Sequence, residues 1–176
     1  MKFLTLLRHA KSGWDDPAVR DFDRPLNHRG RRAARAIGAA MRARDMGFDH
    51  VLASPARRVV ETIEEVARAY GVLSPEYEPR IYLASATTLL ELVRGEDDRN
   101  CRLLLIGHNP GIEDLALLLA AQGGSINEVE VKYPTGAVAQ IALDTANWNG
   151  VEPGSGTLAC FIRPRDLDPE LGPEST

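Results

Sequence analysis

Residues 3–7 form a short apolar run of strand length, with Thr5 its one polar position, that stops at Arg8-His9, the pattern of a parallel strand covered on both faces. A second such run, residues 102–106, is dense in leucine and stops at Gly107-His108, and a shorter one covers residues 50–53. Between them the apolar period changes to that of helices. Asn27 is placed to cap a helix whose buried stripe is Ala33, Ala34, Ile37, Ala40 and Met41, ending near Gly47. Ser54 as cap and Pro55 at the first helical position predict a helix through Val59, Ile63 and Val66 to Gly71. An extended piece at 77–81 and a helix at 86–94 follow, with Thr88 to Glu91 reading as a capping box. Asn109 and Pro110 open a helix running to Ala121, stopped by Gly123-Gly124. Residues 136–143 and 157–162 read as two late strands joined by a turn-rich stretch, hence an antiparallel edge.

Strand alternating with helix predicts an α/β fold, a three-layer α/β/α sandwich with a mostly parallel sheet and that antiparallel edge. The 176 residues suit one domain over 1–163, with a loose, Pro- and Glu-rich tail at 164–176. Residues 12–25 form a polar loop without periodicity, longer than most connections in a compact domain.

A formal net charge of -4 speaks against general affinity for nucleic acid or an anionic membrane. No apolar run approaches a membrane span, and the short stretch before Arg8 is no signal peptide, so a cytoplasmic location is expected. Cys101 and Cys160 have no paired spacing and read as free thiols.

Ligands of open α/β sheets bind beyond the carboxyl ends of the strands. Here two strands end in histidines, His9 and His108, and a third ends where Arg57 and Arg58 sit on a first helical turn, whose free amides favour an anion. Phosphoryl transfer requires an in-line nucleophile and donors on the three equatorial oxygens. A neutral imidazole serves as nucleophile without a metal, and a proton-bearing second histidine stabilises the oxygens. Neither metal nor cofactor is called for. Asp15, Asp16, Asp21 and Asp23 match no calcium-loop spacing. Arg29, Arg31, Arg32 and Arg35 read as a solvated basic face, and Lys11, Ser12 and Trp14 as candidates for the pocket rim.

Leu7-Arg8-His9-Ala10, Ser54-Pro55 with Arg58 and Glu61-Thr62 beyond it, and Gly107-His108-Asn109, in this order, resemble the histidine phosphatase superfamily. Arg24-Pro25-Leu26 followed by Gly30 also matches its turn into the first helix. The Arg-His-Ala-Lys-Ser opening is most similar to the SixA branch of protein phosphohistidine phosphatases. The resemblance implies His9 as the nucleophile, Arg8, Arg58 and His108 as catalytic phosphate ligands, and a histidine-phosphorylated protein as partner. Lys11 is added as a substrate-binding residue at the rim.

The glutamate that many members carry after the third strand is missing, since the chain reads Ile81-Tyr82-Leu83-Ala84-Ser85 there. General acid catalysis contributes roughly 10²- to 10⁴-fold. Its loss favours a labile P–N bond over an alkyl phosphate ester. Two alternatives stay open, a phosphatase of small phosphate esters and a phosphate-binding module without turnover.

Overall fold

The computed structural model describes residues 1–123 and 125–173. A seven-stranded sheet has the order β3-β2-β4-β1-β6-β7-β5, with β1 Lys2–Arg8, β2 His50–Ala53, β3 Glu76–Tyr77, β4 Arg102–Gly107, β5 Ala120–Gln122, β6 Val138–Leu143 and β7 Gly156–Ile162. Strands β3, β2, β4 and β1 are mutually parallel, whereas β6 runs antiparallel to β1 and β7 antiparallel to β6. Helices α1 (His28–Ala43) and α2 (Arg57–Tyr70) cover one face, and α3 (Ala86–Arg94) and α4 (Gly111–Leu119) the other. The fold is α/β in three layers.

Strand β4 shows why the leucine run sits at the centre. Leu103 and Leu105 enter the core beneath α3 and α4, while Leu104 and Ile106 enter the core beneath α1 and α2. Period-two alternation with both faces covered leaves no position for a polar residue. Burial of each such side chain contributes about 1.5–3 kcal/mol. On the α1/α2 side the helices cross at Gly38, where a Cβ would lie 2.4 Å from the Val66 carbonyl oxygen.

Several predicted details differ. Ser54 does not cap α2: the helix begins at Arg57 without a side-chain cap, because the Ser54 hydroxyl faces His108. Ser85, not Thr88, caps α3, its hydroxyl accepting the Thr88 amide at 3.3 Å, and Glu91 lies exposed in mid-helix. Helix α4 ends at Leu119 rather than Ala121, giving way to β5, and the Gly124 stop lies outside the described residues. The antiparallel pair β6-β7 is not the edge, since β5 pairs parallel to β7 outside it. A short helix, α5 (Ile126–Val131), was not signalled by the pattern.

The segment expected to be a loose tail is instead folded back. Pro164 opens a short helix, α6 (Pro164–Leu167), Leu171 is buried, and Arg29 donates to the Gly172 carbonyl at 3.0 Å. Residues 174–176 lie outside the described residues. The basic face of α1 is correspondingly engaged: Arg31 and Arg35 pair with Glu65 of α2, Arg31 also with Glu61, and Arg32 pairs with Asp168 and Glu170.

His50 joins β2 to its surroundings, with Nδ1 2.7 Å from Glu96 and Nε2 3.1 Å from Glu76. Burial opposes its charge, yet the hydrogen bonds and charges of Glu96 and Glu76 hold its pKa above the usual value of 6.5. A folded-state pKa that is raised contributes stability below pH 6.5 that is lost as pH rises through the folded value. Urea unfolding is therefore expected to show His50→Gln destabilised relative to wild type near pH ~5.5 and less so near pH ~8.5. A difference independent of pH would remove the charge from the explanation. In the same assay Gly38→Ala is expected to cost about 1–3 kcal/mol, because the added methyl meets backbone.

Candidate active site

The three strands predicted to end in functional groups are neighbours, β2-β4-β1, and point the same way. Their registers align Arg8 with Gly107 and Ala53 with Ile106, so His9, His108 and Ser54 all emerge one step beyond a paired position. Main-chain bonds continue past the strands, with the His9 amide on Gly107 O at 3.0 Å and the Ser54 amide on Ile106 O at 3.1 Å. The chain after His9 is held by Thr62, whose hydroxyl accepts the Ala10 amide at 3.0 Å and donates to Arg58 O at 2.6 Å. Lys11 O accepts the Asn27 amide at 3.0 Å. A Cβ on Gly30 would lie 2.1 Å from that carbonyl, so only glycine admits the first turn of α1 here.

The ring nitrogens of His9 and His108 are assigned by their neighbours. His9 Nδ1 lies 2.7 Å from Ala10 O, which can only accept, so Nδ1 carries the proton and Nε2 keeps its lone pair. Arg58 Nε lies 3.4 Å from that Nε2. His108 has the opposite assignment: Arg58 Nη2 donates to Nδ1 at 3.2 Å, leaving the proton on Nε2, 2.8 Å from Ser54 Oγ. The ring centroids are 5.3 Å apart. Burial, then Arg58 nearby, pushes His108 down to about 4. Burial also holds His9 well below 6.5, with His108, Arg58 and Arg8 adding to the effect. Both rings are neutral at pH 7, and His108 holds its proton toward Ser54 with Nδ1 accepting from Arg58, in place of the proton-bearing donor expected toward the pocket.

Arg58 is buried, and it also donates to Asp21 O at 2.7 Å and to Asp21 Oδ2 at 3.1 Å. Tyr82 OH donates to the same carboxylate at 2.6 Å, and Arg24 binds Asp21 Oδ1 through Nε at 3.1 Å and Nη2 at 3.0 Å. Partial burial works against the Asp21 charge, but Tyr82, Arg24 and Arg58 together hold its pKa down at about 2. Arg8 Nη1 donates to Tyr133 O at 2.9 Å, beside Asn109 Nδ2 at 3.0 Å from the same oxygen, and Arg8 Nε is buried without a partner among the described residues. Arg57 turns away to Glu61.

These groups surround a pocket of about 270 Å³ that Arg8, His9, Lys11, Arg58 and His108 all line, together with Asp21. Every site residue predicted from the sequence is thus brought to one place. Asp21, Tyr82, Ser54 as a partner of His108, and Thr62 were missed in these roles. Asp21 was visible only as one of four acids in an irregular loop, and a contact 37 residues away in sequence leaves no periodic trace. Trp14, 68% exposed, stacks on Arg24 at 3.7 Å, and Leu83, 58% exposed with φ of 50°, faces the pocket mouth. Among the described residues no group of three His, Cys, Asp or Glu side chains is arranged to hold a metal, and no helix is long and apolar enough to cross a membrane.

Chemically, the pocket offers an unprotonated imidazole nitrogen beside fixed guanidinium donors, the requirements of in-line attack on a phosphoryl group. Imidazole NMR titration of the free protein is expected to place His108 near pH 4 and His9 well below 6.5. Arg58→Met should move His108 upward by removing the adjacent cation. A His9 midpoint at or above 6.5 would mean that the ring is not held neutral by its site.

Residues 4–82 match the model of the histidine phosphatase superfamily (branch 1). An uncharacterized protein of Mycobacterium tuberculosis is 35% identical over 164 residues, spanning 90% of this chain and 100% of that protein. Among solved structures, a candidate phosphohistidine phosphatase SixA from Nakamurella multipartitia superposes with a TM-score of 0.81 at 26% identity, over 93% of this chain and 96% of that one. Its counterpart from Agrobacterium tumefaciens gives 0.75 at 27% identity, over 92% and 97%. With these likenesses and the three strand-end motifs in one pocket, the chain belongs to the histidine phosphatase superfamily and is SixA-like.

Proposed function

We propose that this phosphatase hydrolyses phosphohistidine on a protein, with His9 Nε2 as the atom that receives the phosphoryl group. The observation that carries the reading is the charge state of the pocket. Its one carboxylate among the lining residues, Asp21, is ionised and bound by Arg58, Arg24 and Tyr82, so no lining carboxyl is available as a proton donor near pH 7. An alkoxide leaving group would depart without help. The imidazole of a phosphohistidine needs none when its distal nitrogen already carries a proton, since it leaves as a neutral ring.

In the proposed reaction Arg8 and Arg58 bind the equatorial oxygens, and the Arg58 donors now spent on the two histidines turn to phosphate. That exchange releases the His9 Nε2 lone pair. Attack forms a P–N bond to Nε2 while the substrate's P–N bond breaks, its electron pair returning to the leaving imidazole. The growing positive charge on His9 is supported by its Nδ1–H donation to Ala10 O. Water then attacks the phosphoryl phosphorus, the bond to Nε2 breaks, and phosphate leaves with the water's oxygen.

A protein as the carrier is supported by the mouth of the pocket. Trp14 and Leu83 stand there largely exposed, and large apolar residues on a rim suit contact with a macromolecule better than solvation. Lys11 lies on the same rim, placed to meet the phosphate or the groups beside it.

The test compares a histidine-phosphorylated protein, a phosphoserine peptide and p-nitrophenyl phosphate as substrates, with and without EDTA, for wild type and His9→Ala. Expected are faster loss of phosphohistidine than phosphoserine, insensitivity to EDTA, radiolabel trapped on His9 after rapid quench, and a fall of about 10³-fold or more in His9→Ala. Turnover confined to small esters would replace the substrate class. Binding of phosphate with no labelled enzyme and no turnover would replace the activity itself.

A further inference from the structure

A second cavity, of about 230 Å³, opens beside the active-site pocket and shares Arg8, Lys11 and Thr135 with it. Arg29, Lys132 and Arg165 complete its charged lining, and among the described residues no carboxylate lines it. Five cationic side chains thus meet in one groove of a chain whose net charge is -4. Among the described residues, Asp168 and Glu170 pair with Arg32, Glu128 and Asp166 pair with Arg163, and Glu113, whose charge acts on Arg8, accepts from Asn109 at 3.0 Å. Lys11, Lys132 and Arg165 form no ion pair among the described residues. Clustered like charges of this kind repel one another until an anion enters. Between them the walls are apolar, formed by Pro134, Pro164 and Leu171.

We infer that this groove is a subsite for acidic side chains of the phosphoprotein, adjacent to the phosphohistidine that enters the pocket of His9. The inference rests on the proposed substrate class. Continuity through Arg8, Lys11 and Thr135 means that one chain can occupy both cavities. The mixed lining selects the chemistry: a carboxylate meets Lys132 and Arg165 while its aliphatic stem and the neighbouring backbone lie on Pro134, Pro164 and Leu171. A small inorganic dianion would leave those apolar walls unused. The position of the groove depends on the fold-back of residues 164–173 onto α1, so the C-terminal segment takes part in substrate choice.

The experiment is binding of two fluorescent peptides to the full chain by anisotropy. Both carry a central unphosphorylated histidine, one flanked by aspartate and glutamate and the other by serine and glutamine. Wild type is expected to prefer the acidic peptide by about tenfold at low salt, with the preference shrinking as salt is added. The double variant Lys132→Glu/Arg165→Glu should lose it, and Lys132→Gln/Arg165→Gln supplies the same comparison if charge reversal impairs folding. Equal binding of the two peptides by wild type, or a preference that survives both double variants, overturns the subsite. Inorganic pyrophosphate displacing phosphate more strongly than either peptide binds would overturn the peptide as occupant. Because the peptides are unphosphorylated, this result is decided separately from the substrate reading, which falls if histidine-phosphorylated versions of both peptides resist hydrolysis.

Discussion

Arg58 is a guanidinium taken almost wholly out of water at the end of the central strands. A buried cation is costly unless its donors are met and a counter-charge stands close by. Three nitrogens of this one side chain reach His9, His108, the Asp21 carbonyl and the Asp21 carboxylate. Much of the site follows from that. Since guanidinium only donates, the facing ring nitrogens have to accept, which fixes both tautomers, and burial first, with the positive neighbour adding to it, keeps both rings from protonating. Asp21 must be ionised to balance the charge, and Tyr82 and Arg24 hold it so.

The two histidines show how identical side chains are separated by their backbone setting. His9 turns Nδ1 to the carbonyl of the next residue, leaving Nε2 to the pocket, whereas His108 gives Nε2 to Ser54 and leaves Nδ1. The first arrangement puts an unprotonated nitrogen at the end of β1, and the second puts a ring braced by a hydroxyl at the end of β4. Ser54 occupies the same level on β2, so three adjacent strands define the geometry, and loops contribute only the counter-ion and the rim.

Most of this framework was readable in the sequence because it is built from short-range signals. Strand-length apolar runs ending on polar residues gave β1, β2 and β4, and Asn27 capped its helix as read, accepting the Gly30 amide at 2.8 Å. The failures share a physical origin. Ser54 and Pro55 look like a helix start until the hydroxyl is claimed by a histidine 54 residues away. The C-terminal segment looks loose by composition, yet arginines of α1 and the burial of Leu171 hold it down. The short edge strand β5 lacks a period of its own and exists through its pairing with β7. Long-range partners, unlike caps and periodicity, leave no mark at a fixed spacing.

The neutrality of both rings also governs what the pocket does when filled. Arg8, Lys11, Arg24 and Arg58 already exceed the single negative charge of Asp21, so two imidazolium ions would add repulsion in a space of about 270 Å³. A phosphoryl dianion offsets most of that excess. It draws the Arg58 donors away from His9 and His108, and its negative charge raises the proton affinity of whichever ring it touches. In the proposed reaction His9 then has a free lone pair for phosphorus, while His108 Nδ1, relieved of Arg58, takes up a proton and donates it to an equatorial oxygen. In the proposed reaction the donor role expected of His108 therefore arises only when phosphate takes the place of its nitrogen on Arg58. The same charge that must be bound creates the donor that binds it.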